Sequence, residues 1–428
     1  MAHIGIISVP ATGHLNPLTS LGYELKQRGH QVTVIGILDA KEKAESAGLN
    51  FKSYAEIDIP LGFTPATLVK MGELSGLDSI RYSVELFHQS TIRMMKDGLE
   101  AIRQSEVDLL LIDQVAFGAS TVAEHLEIPF ISVSCALMIN REKSLPPMNF
   151  GWAYSPSFFA RLRNWLGYRL LDRLVKPIAQ TINEYRQSWN LPLFKSSNDS
   201  YSRLAQLCQQ PAEFEFPRKE LPSCFHFTGS FQNPLSRPNI PFPYERLNGK
   251  TLIYASMGTI QNQLLDIFTK IAEACQDLDV QLIISLGGSA DPDNLPPFVG
   301  EPIVVKYAPQ LEILQKAQLT ITHAGLNTTL ESLSHGVPMV AIPIANDQPG
   351  VAARIAWTET GEVIPVKKLT VPKLRRAIEA VLKQPKYRDN AKKMQTAIQK
   401  SGGIKQAADI VEQAIATGKP VVRVPPSI

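Results

Sequence analysis

Two groups of residues have the types and spacing to do chemistry. The first contains His14, in Pro10-Ala-Thr-Gly13-His14-Leu-Asn16-Pro17, after the apolar run 4–9 and before the helical stretch 18–28. Taking a proton from a hydroxyl at neutral pH needs a base titrating near neutrality, and imidazole, with an unperturbed pKa of about 6.5, is suited to it. Asp113 closes the apolar run 107–113, and a carboxylate beside an imidazole sets its tautomer and stabilises the imidazolium as the proton arrives. The plainer reading is a histidine at a helix start and an aspartate capping a strand end. The second group follows the apolar stretch Leu319–Thr322: His323-Ala-Gly325-Leu-Asn327-Thr328-Thr-Leu-Glu331, with a helix running to His335 before Gly336 and Pro338 end it. A helix N-terminus carries partial positive charge and unsatisfied N–H donors, which suits a phosphate or diphosphate. Glu331, one or two turns on, is spaced to accept hydrogen bonds from ribose hydroxyls. Taken alone, the stretch is equally an ordinary strand-turn-helix with a Thr/Asn cap.

Its surroundings decide the matter. Tyr307-Ala-Pro-Gln310 lies upstream, and Pro343-Ile-Ala-Asn-Asp347-Gln348 downstream. Together these elements resemble the nucleotide-sugar signature of the UDP-dependent glycosyltransferases of family 1, the two-Rossmann-domain GT-B type that acts on small lipophilic molecules. The resemblance covers nearly the whole chain and is most specific over 307–348. It implies that His323, Asn327 and Thr328 contact the diphosphate, that Gly325 lets it approach the backbone, and that Glu331 binds the ribose. Asp347 and Gln348 would hold the sugar hydroxyls, Gln348 being the residue of glucose users. Ser256, in Ala255-Ser-Met-Gly-Thr259, would reach the diphosphate from a neighbouring strand. Tyr307 stands where plant members carry Trp, so stacking on uracil is expected with less ring area; Gln310 belongs to the same donor-binding set. His14 matches the family's G-H-x-N-P base and Asp113 its carboxylate partner. The implied reaction is an inverting, metal-independent hexosyl transfer, with no metal site and no cofactor beyond the UDP-sugar co-substrate. A sugar-nucleotide epimerase of the same architecture and a catalytically silent binding relative are the competing readings. His14 and Asp113 count against the second, and the lipophilic segment described below counts against the first.

These residues must be held by two series of strands and helices. Apolar runs at 4–9, Gln31–Gly36, 107–113 and Phe130–Ser134 alternate with helical stretches at 18–28, 80–104 and Ala119–His125. The pattern then repeats, with strands expected at 251–255, 281–285, 303–306, Leu319–Thr322, 339–342 and 362–364. Helices are expected at 263–276 and Val371–Lys383. Strands apolar on both faces and separated by helices predict an α/β chain of two facing, doubly wound parallel sheets, with ligands at the carboxyl ends of the strands. A proline-rich stretch (Pro211, Pro217, Pro222, Pro234, Pro238, Pro241, Pro243) separates the series. It divides the chain into an acceptor-binding domain 1–230, whose last strand is expected at Phe225–Phe227, a linker 231–249 and a donor-binding domain 250–400. The remainder, 401–428, is expected to send a helix at 404–415 back towards the first domain.

Composition limits the rest. The 428 residues include 43 basic and 40 acidic side chains, a net charge of +3, which excludes a nucleic-acid binder that blankets phosphates. Cys135, Cys208, Cys224 and Cys275 have no metal-ligand or C-x-x-C spacing. Four reduced thiols and an N-terminus without a basic leader predict a cytoplasmic location, at most peripheral to a membrane; a monomer is expected. No Walker A, G-x-S-x-G or G-x-G-x-x-G pattern is present, and Gly287-Gly288 forms none. One segment stands apart. Residues 141–177 interleave Trp152, Tyr154, Phe158, Phe159, Trp165 and Tyr168 with Arg161, Arg163, Arg169, Arg173 and Lys176. It is either an acceptor wall, with Met148, Phe150 and Trp152 as contacts, or a peripheral membrane contact through 158–176. The plainer alternative is two helices that pack their aromatics inward. Asn140-Arg-Glu142, Pro146-Pro147 and the 150–154 aromatics resemble the bacterial and cyanobacterial branch that includes zeaxanthin glucosyltransferases, which implies a carotenoid, flavonoid or terpenoid acceptor.

Overall fold

The computed structural model describes residues 1–74, 76–233, 240–258, 265–288 and 290–423. The linker portion 234–239, Thr259 and the tail 424–428 lie outside the described residues. Seven parallel strands form the first sheet: β1 His3–Ile7, β2 Gln31–Gly36, β3 Asn50–Ser53, β4 Leu109–Asp113, β5 Phe130–Ser134, β6 Gln206–Cys208 and β7 Phe225–Phe227. Six parallel strands form the second: β8 Thr251–Ser256, β9 Val280–Ser285, β10 Ile303–Val305, β11 Leu319–Thr322, β12 Met339–Ala341 and β13 Gly361–Val363. The orders are β3-β2-β1-β4-β5-β6-β7 and β10-β9-β8-β11-β12-β13. This is the expected α/β architecture of two doubly wound sheets.

Each order reverses once, between β1 and β4 and between β8 and β11. The strands leave these points on opposite windings, so the loops after them part and leave a crevice. Asp113 ends β4, and the turn after β1 leads to His14. Ser256 ends β8, and His323 follows β11. In register, Ile7 lies beside Ile112 and Thr322 beside Ser256. Both chemistry-bearing groups therefore sit at a switch point.

The strands earn their positions by burial on both faces. Ile4, Ile6, Leu109 and Leu111 pack on one side of the first sheet, with Leu18, Leu21 and Leu25 from the helix Thr12–Gln27. Ile7, Leu110 and Ile112 pack on the other, with Met94, Val122 and Ala123. The helix Gly403–Thr417 adds Ile404, Ala407, Ile410 and Val411 to the first of these clusters, and Arg28 pairs with Asp409 and Glu412 at its surface. Leu137 and Phe214, from the first sheet's side, join Leu326, Leu330, Val351 and Ile355 in a shared apolar cluster between the two halves.

Several expected boundaries move. The first helix starts at Thr12, not 18, and carries Pro17 inside it. The stretch 80–104 is helical, but it comprises Gly76–Arg93, a wide turn Met94–Gly98 and Leu99–Gln104. β3 and β6 were not expected, because Asn50-Phe-Lys-Ser and Gln206-Leu-Cys are short and half polar. The inward packing of aromatics, one of the alternatives for 141–177, holds for Trp152 and Tyr154 but not for Phe158, Phe159 and Trp165. In the helix Phe158–Leu174 the buried positions are Ala160, Asn164 and Gly167, while Phe158, Phe159 and Trp165 face outward.

Candidate active site

One cavity of about 2310 Å³ lies between the two halves and is lined from both. A pocket for one drug-sized ligand typically holds about 300–1,000 Å³, so this space is larger than one such ligand needs.

On the first-sheet side, His14 Nδ1 and Asp113 Oδ2 are 2.7 Å apart. Asp113 is 1% exposed and also accepts from Ser8 Oγ at 3.1 Å and from the Val115 N–H at 3.3 Å. An anionic acceptor at Nδ1 puts the ring hydrogen there and leaves Nε2 with its lone pair. Burial works to lower the His14 pKa, but the charge and hydrogen bond of Asp113, with Asp347 adding to them, carry it above the usual histidine value. Cys135 completes a triad of potential ligand atoms within 4.8 Å. Burial pushes its thiol well up, so it stays protonated beside the dyad.

Pro17 shapes this corner. A proline has no N–H, so the carbonyl four residues earlier, that of Gly13, loses its helical donor. Asn327 Nδ2 supplies the missing bond across the cleft, at 2.6 Å. Asn327 Oδ1 in turn accepts from Gln209 Nε2 at 2.8 Å, and the same amide also donates to the Cys135 carbonyl. Gln209 was invisible in the sequence, since nothing in its neighbours marks a functional glutamine.

On the second-sheet side, the helix Leu326–Ser334 has Gly325 as its N-cap and no side-chain cap. The Thr/Asn-cap reading therefore fails, and the first-turn N–H groups lack the side-chain acceptor it would supply. His323 is clamped between two glycines: a Cβ on Gly258 would meet its ring at 2.7 Å, and one on Gly325 at 2.5 Å. Burial lowers its pKa to about 4, so it is neutral at pH 7. Its Nδ1 is buried with no hydrogen-bond partner among the described residues. Gln310 accepts from the Tyr254 hydroxyl at 2.9 Å and donates to Glu331 Oε2 at 2.5 Å, with Thr328 Oγ1 at 3.5 Å. Tyr307 is half exposed and lies over Gly288, where a Cβ would strike its hydroxyl. The missing Cβ of Gly288 thus leaves room for the Tyr307 hydroxyl.

Asp347 Oδ2 accepts from the Leu137 N–H at 3.1 Å, a second bond across the cleft. Burial raises the Asp347 pKa, partly opposed by that hydrogen bond and by His14. Gln348 is buried, and its carbonyl oxygen accepts from the Ile344 and Ala345 N–H groups, both at 2.9 Å. Only its Nε2 is then left for a ligand. His14, Ser256, Tyr307, Gln310, His323, Gly325, Asn327, Thr328, Glu331, Asp347 and Gln348 all line the one cavity; Asp113 stands behind His14.

The expected acceptor contacts divide. Met148 lines the cavity, whereas Phe150 and Trp152 do not. Those two rings stack on each other at 4.2 Å, and Trp152 is pinned by Arg163 and by Gly167, whose missing Cβ leaves its space. Their work is to seat the helix Phe158–Leu174. The apolar walls on the first-sheet side are instead Phe63, Leu68 and Met71, Val84 and Phe87, with Phe194.

The chain matches the family profile of the UDP-glucoronosyl and UDP-glucosyl transferases over residues 74–405. It is 32% identical over 424 residues to a zeaxanthin glucosyltransferase of Pantoea ananas, covering 99% of this chain and 98% of that one. To a second zeaxanthin glucosyltransferase, from Pseudescherichia vulneris, it is 31% identical, over 98% of this chain and 100% of the other. Its fold is similar to that of CalG4, the calicheamicin glycosyltransferase, with a TM-score of 0.76 at 20% identity, covering 98% of this chain and 100% of that chain.

Proposed function

The chain belongs to the UDP-glucoronosyl and UDP-glucosyl transferase family, and we propose that it transfers glucose from UDP-glucose, with inversion, to a hydroxyl of a small lipophilic acceptor of the carotenoid, flavonoid or terpenoid kind. The observation that carries this reading is the facing of the His14–Asp113 pair and the Leu326–Ser334 helix start across one cavity. The apolar acceptor-side walls and the two zeaxanthin glucosyltransferases among the relatives support the acceptor class.

In the proposed reaction, the acceptor hydroxyl gives its proton to His14 Nε2 as its oxygen forms a bond to the anomeric carbon. The bond from that carbon to the diphosphate oxygen breaks on the opposite face, and UDP leaves with the electron pair. Asp113 holds the resulting imidazolium. The developing charge on UDP meets the N–H groups of the Leu326–Ser334 helix, the hydroxyls of Thr328 and Ser256, and an N–H of neutral His323. These donors take the role a divalent ion would otherwise fill, so the reaction needs no metal and no cofactor. Glu331 receives the ribose hydroxyls, the Tyr307 ring receives uracil, and Asp347 with Gln348 Nε2 holds the sugar.

The test is a panel of hydroxylated acceptors incubated with UDP-glucose and read by mass. A product one hexose heavier than its acceptor is expected. Free altered sugar without any acceptor would instead make the chain an epimerase, and UDP binding without turnover would make it a silent relative.

A further inference from the structure

The helix Phe158–Leu174 is built the wrong way round for a helix resting on a protein core. Its inner face carries small or polar side chains, Ala160, Asn164 and Gly167, which let it lie close against Trp152 and Pro147. Its outer face carries Phe158, Phe159, Leu162, Trp165, Leu166 and Leu170. Phe158 and Phe159 are 74% and 79% exposed, Trp165 is 49% exposed and Leu166 55%. Contiguous exposed apolar side chains of this size mark an interaction surface.

The charges around the stripe say what it meets. Arg161, Arg169, Arg173 and Lys176 are exposed and make no ion pair among the described residues. Arg169 lies 5.5 Å over the Trp165 ring. The helix holds a single acidic residue, Asp172, which pairs with Arg141. No described helix is long and apolar enough to cross a membrane. The outer face therefore interleaves aromatic and leucine side chains with cations, a combination that suits the interfacial plane of an anionic bilayer. We propose that this face docks the chain on an anionic lipid surface. A second copy of the chain fits less well, because a two-fold contact through the same face would set the arginines of both copies against each other.

The opposite edge of this helix, Tyr168, Leu171 and Leu174, lines the cavity. A lipophilic acceptor dissolved in the bilayer thus enters beside the docked helix without crossing water. This delivery role rests on the proposed transfer reaction, whereas the docking rests on the helix surface alone.

Flotation of the full chain with phosphatidylglycerol–phosphatidylcholine vesicles, against phosphatidylcholine alone, tests it. Binding to the anionic vesicles that weakens with added salt is expected. The triple variant Phe158→Ser/Phe159→Ser/Trp165→Ser should lose at least tenfold in partition. Arg161→Glu/Arg169→Glu/Arg173→Glu should lose more, at roughly fivefold per cation removed. Both variants should keep wild-type UDP binding and turnover of a water-soluble acceptor, which shows them folded and keeps the transferase reading separate. Absence of binding to anionic vesicles, or variants that bind as wild type does, would overturn the proposal. So would a self-association in sedimentation velocity that the serine variant abolishes while vesicle binding stays absent.

Discussion

Asn327 Nδ2 donates to the carbonyl of Gly13 at 2.6 Å, across a sequence distance of 314 residues. The bond exists because Pro17, within the helix Thr12–Gln27, leaves that carbonyl without its helical donor. The helix that presents His14 and the start of the helix Leu326–Ser334 are thereby clasped together. Restoring the N–H with Pro17→Ala offers Gly13 an intrahelical partner in competition with Asn327. The expected outcome is a several-fold rise in KM for UDP-glucose, with little loss of thermal stability. Asn327→Ala removes the clasp and the donor contact together and should raise the donor Kd by about tenfold, consistent with about 1.4 kcal/mol. Isothermal titration with UDP and steady-state kinetics check both.

The dyad sets a pH dependence whose sign is fixed. His14 must be neutral to take a proton, and its pKa stands above the ordinary value because Asp113 outweighs the effect of burial. Rates should therefore rise with pH through a limb above about 6.5. Asp113→Asn leaves burial opposed only by Asp347, so the limb should move to lower pH while kcat falls by about a hundredfold or more. His14→Ala should abolish transfer with UDP binding intact. The same pair stabilises the fold fully below about pH 6.5, the unfolded histidine value, and this contribution fades as pH rises through the folded pKa. Rate profiles and thermal melts across pH read both effects.

Glu331 accepts from Gln310 in the free chain, and the proposed ribose contact replaces or shares that acceptor. Glu331→Ala removes a buried, charged acceptor, and UDP-glucose affinity should fall by about ten- to a hundredfold, as expected for hydrogen bonds to a charged group worth about 1.5–3 kcal/mol. Gln310→Ala should cost less, because it positions the carboxylate and leaves it in place. Calorimetry giving wild-type affinity for Glu331→Ala would end the ribose assignment.

Stability depends on another pair that spans the two halves. Arg354 and Glu215 are both buried, with Nη2 to Oε1 at 2.5 Å and Nε to Oε1 at 3.1 Å. Glu215→Gln leaves the guanidinium without its counter-charge and should destabilise the chain by about 3–5 kcal/mol. Burial alone would raise the Glu215 pKa, but Arg354 and Arg218 hold it below the usual glutamate value. Its contribution is present above about pH 4.5 and is lost as pH falls through the depressed folded pKa. Urea unfolding at neutral and acid pH should show the wild type losing this advantage over the variant only in acid.

The residues themselves determined the two parallel sheets, because runs such as Leu109–Asp113 and Leu319–Thr322 are apolar on both faces, and only a sheet covered by helices on each side buries them so. They also marked the chemistry-bearing groups, since a His after one strand and a helix start after another are local patterns. β3 and β6 escaped because their polar residues carry no such period, and the first helix was read short because Pro17 looks like a boundary from sequence. Tertiary structure alone decided the rest. Gln209 and the Leu137 N–H act on Asn327 and Asp347 only because the halves face each other. His323 has its pKa lowered to about 4 only because the fold buries it, with its ring between Gly258 and Gly325. The aromatic-basic segment showed why this matters: helical spacing groups Phe158, Phe159, Leu162, Trp165 and Leu166, but only the packing of Ala160, Asn164 and Gly167, with Gly167 against Trp152 and Pro147, turned that group to the outside. Periodicity depends on the chain's own backbone and is legible in it, whereas the side of an element that meets protein depends on what distant residues bring to it.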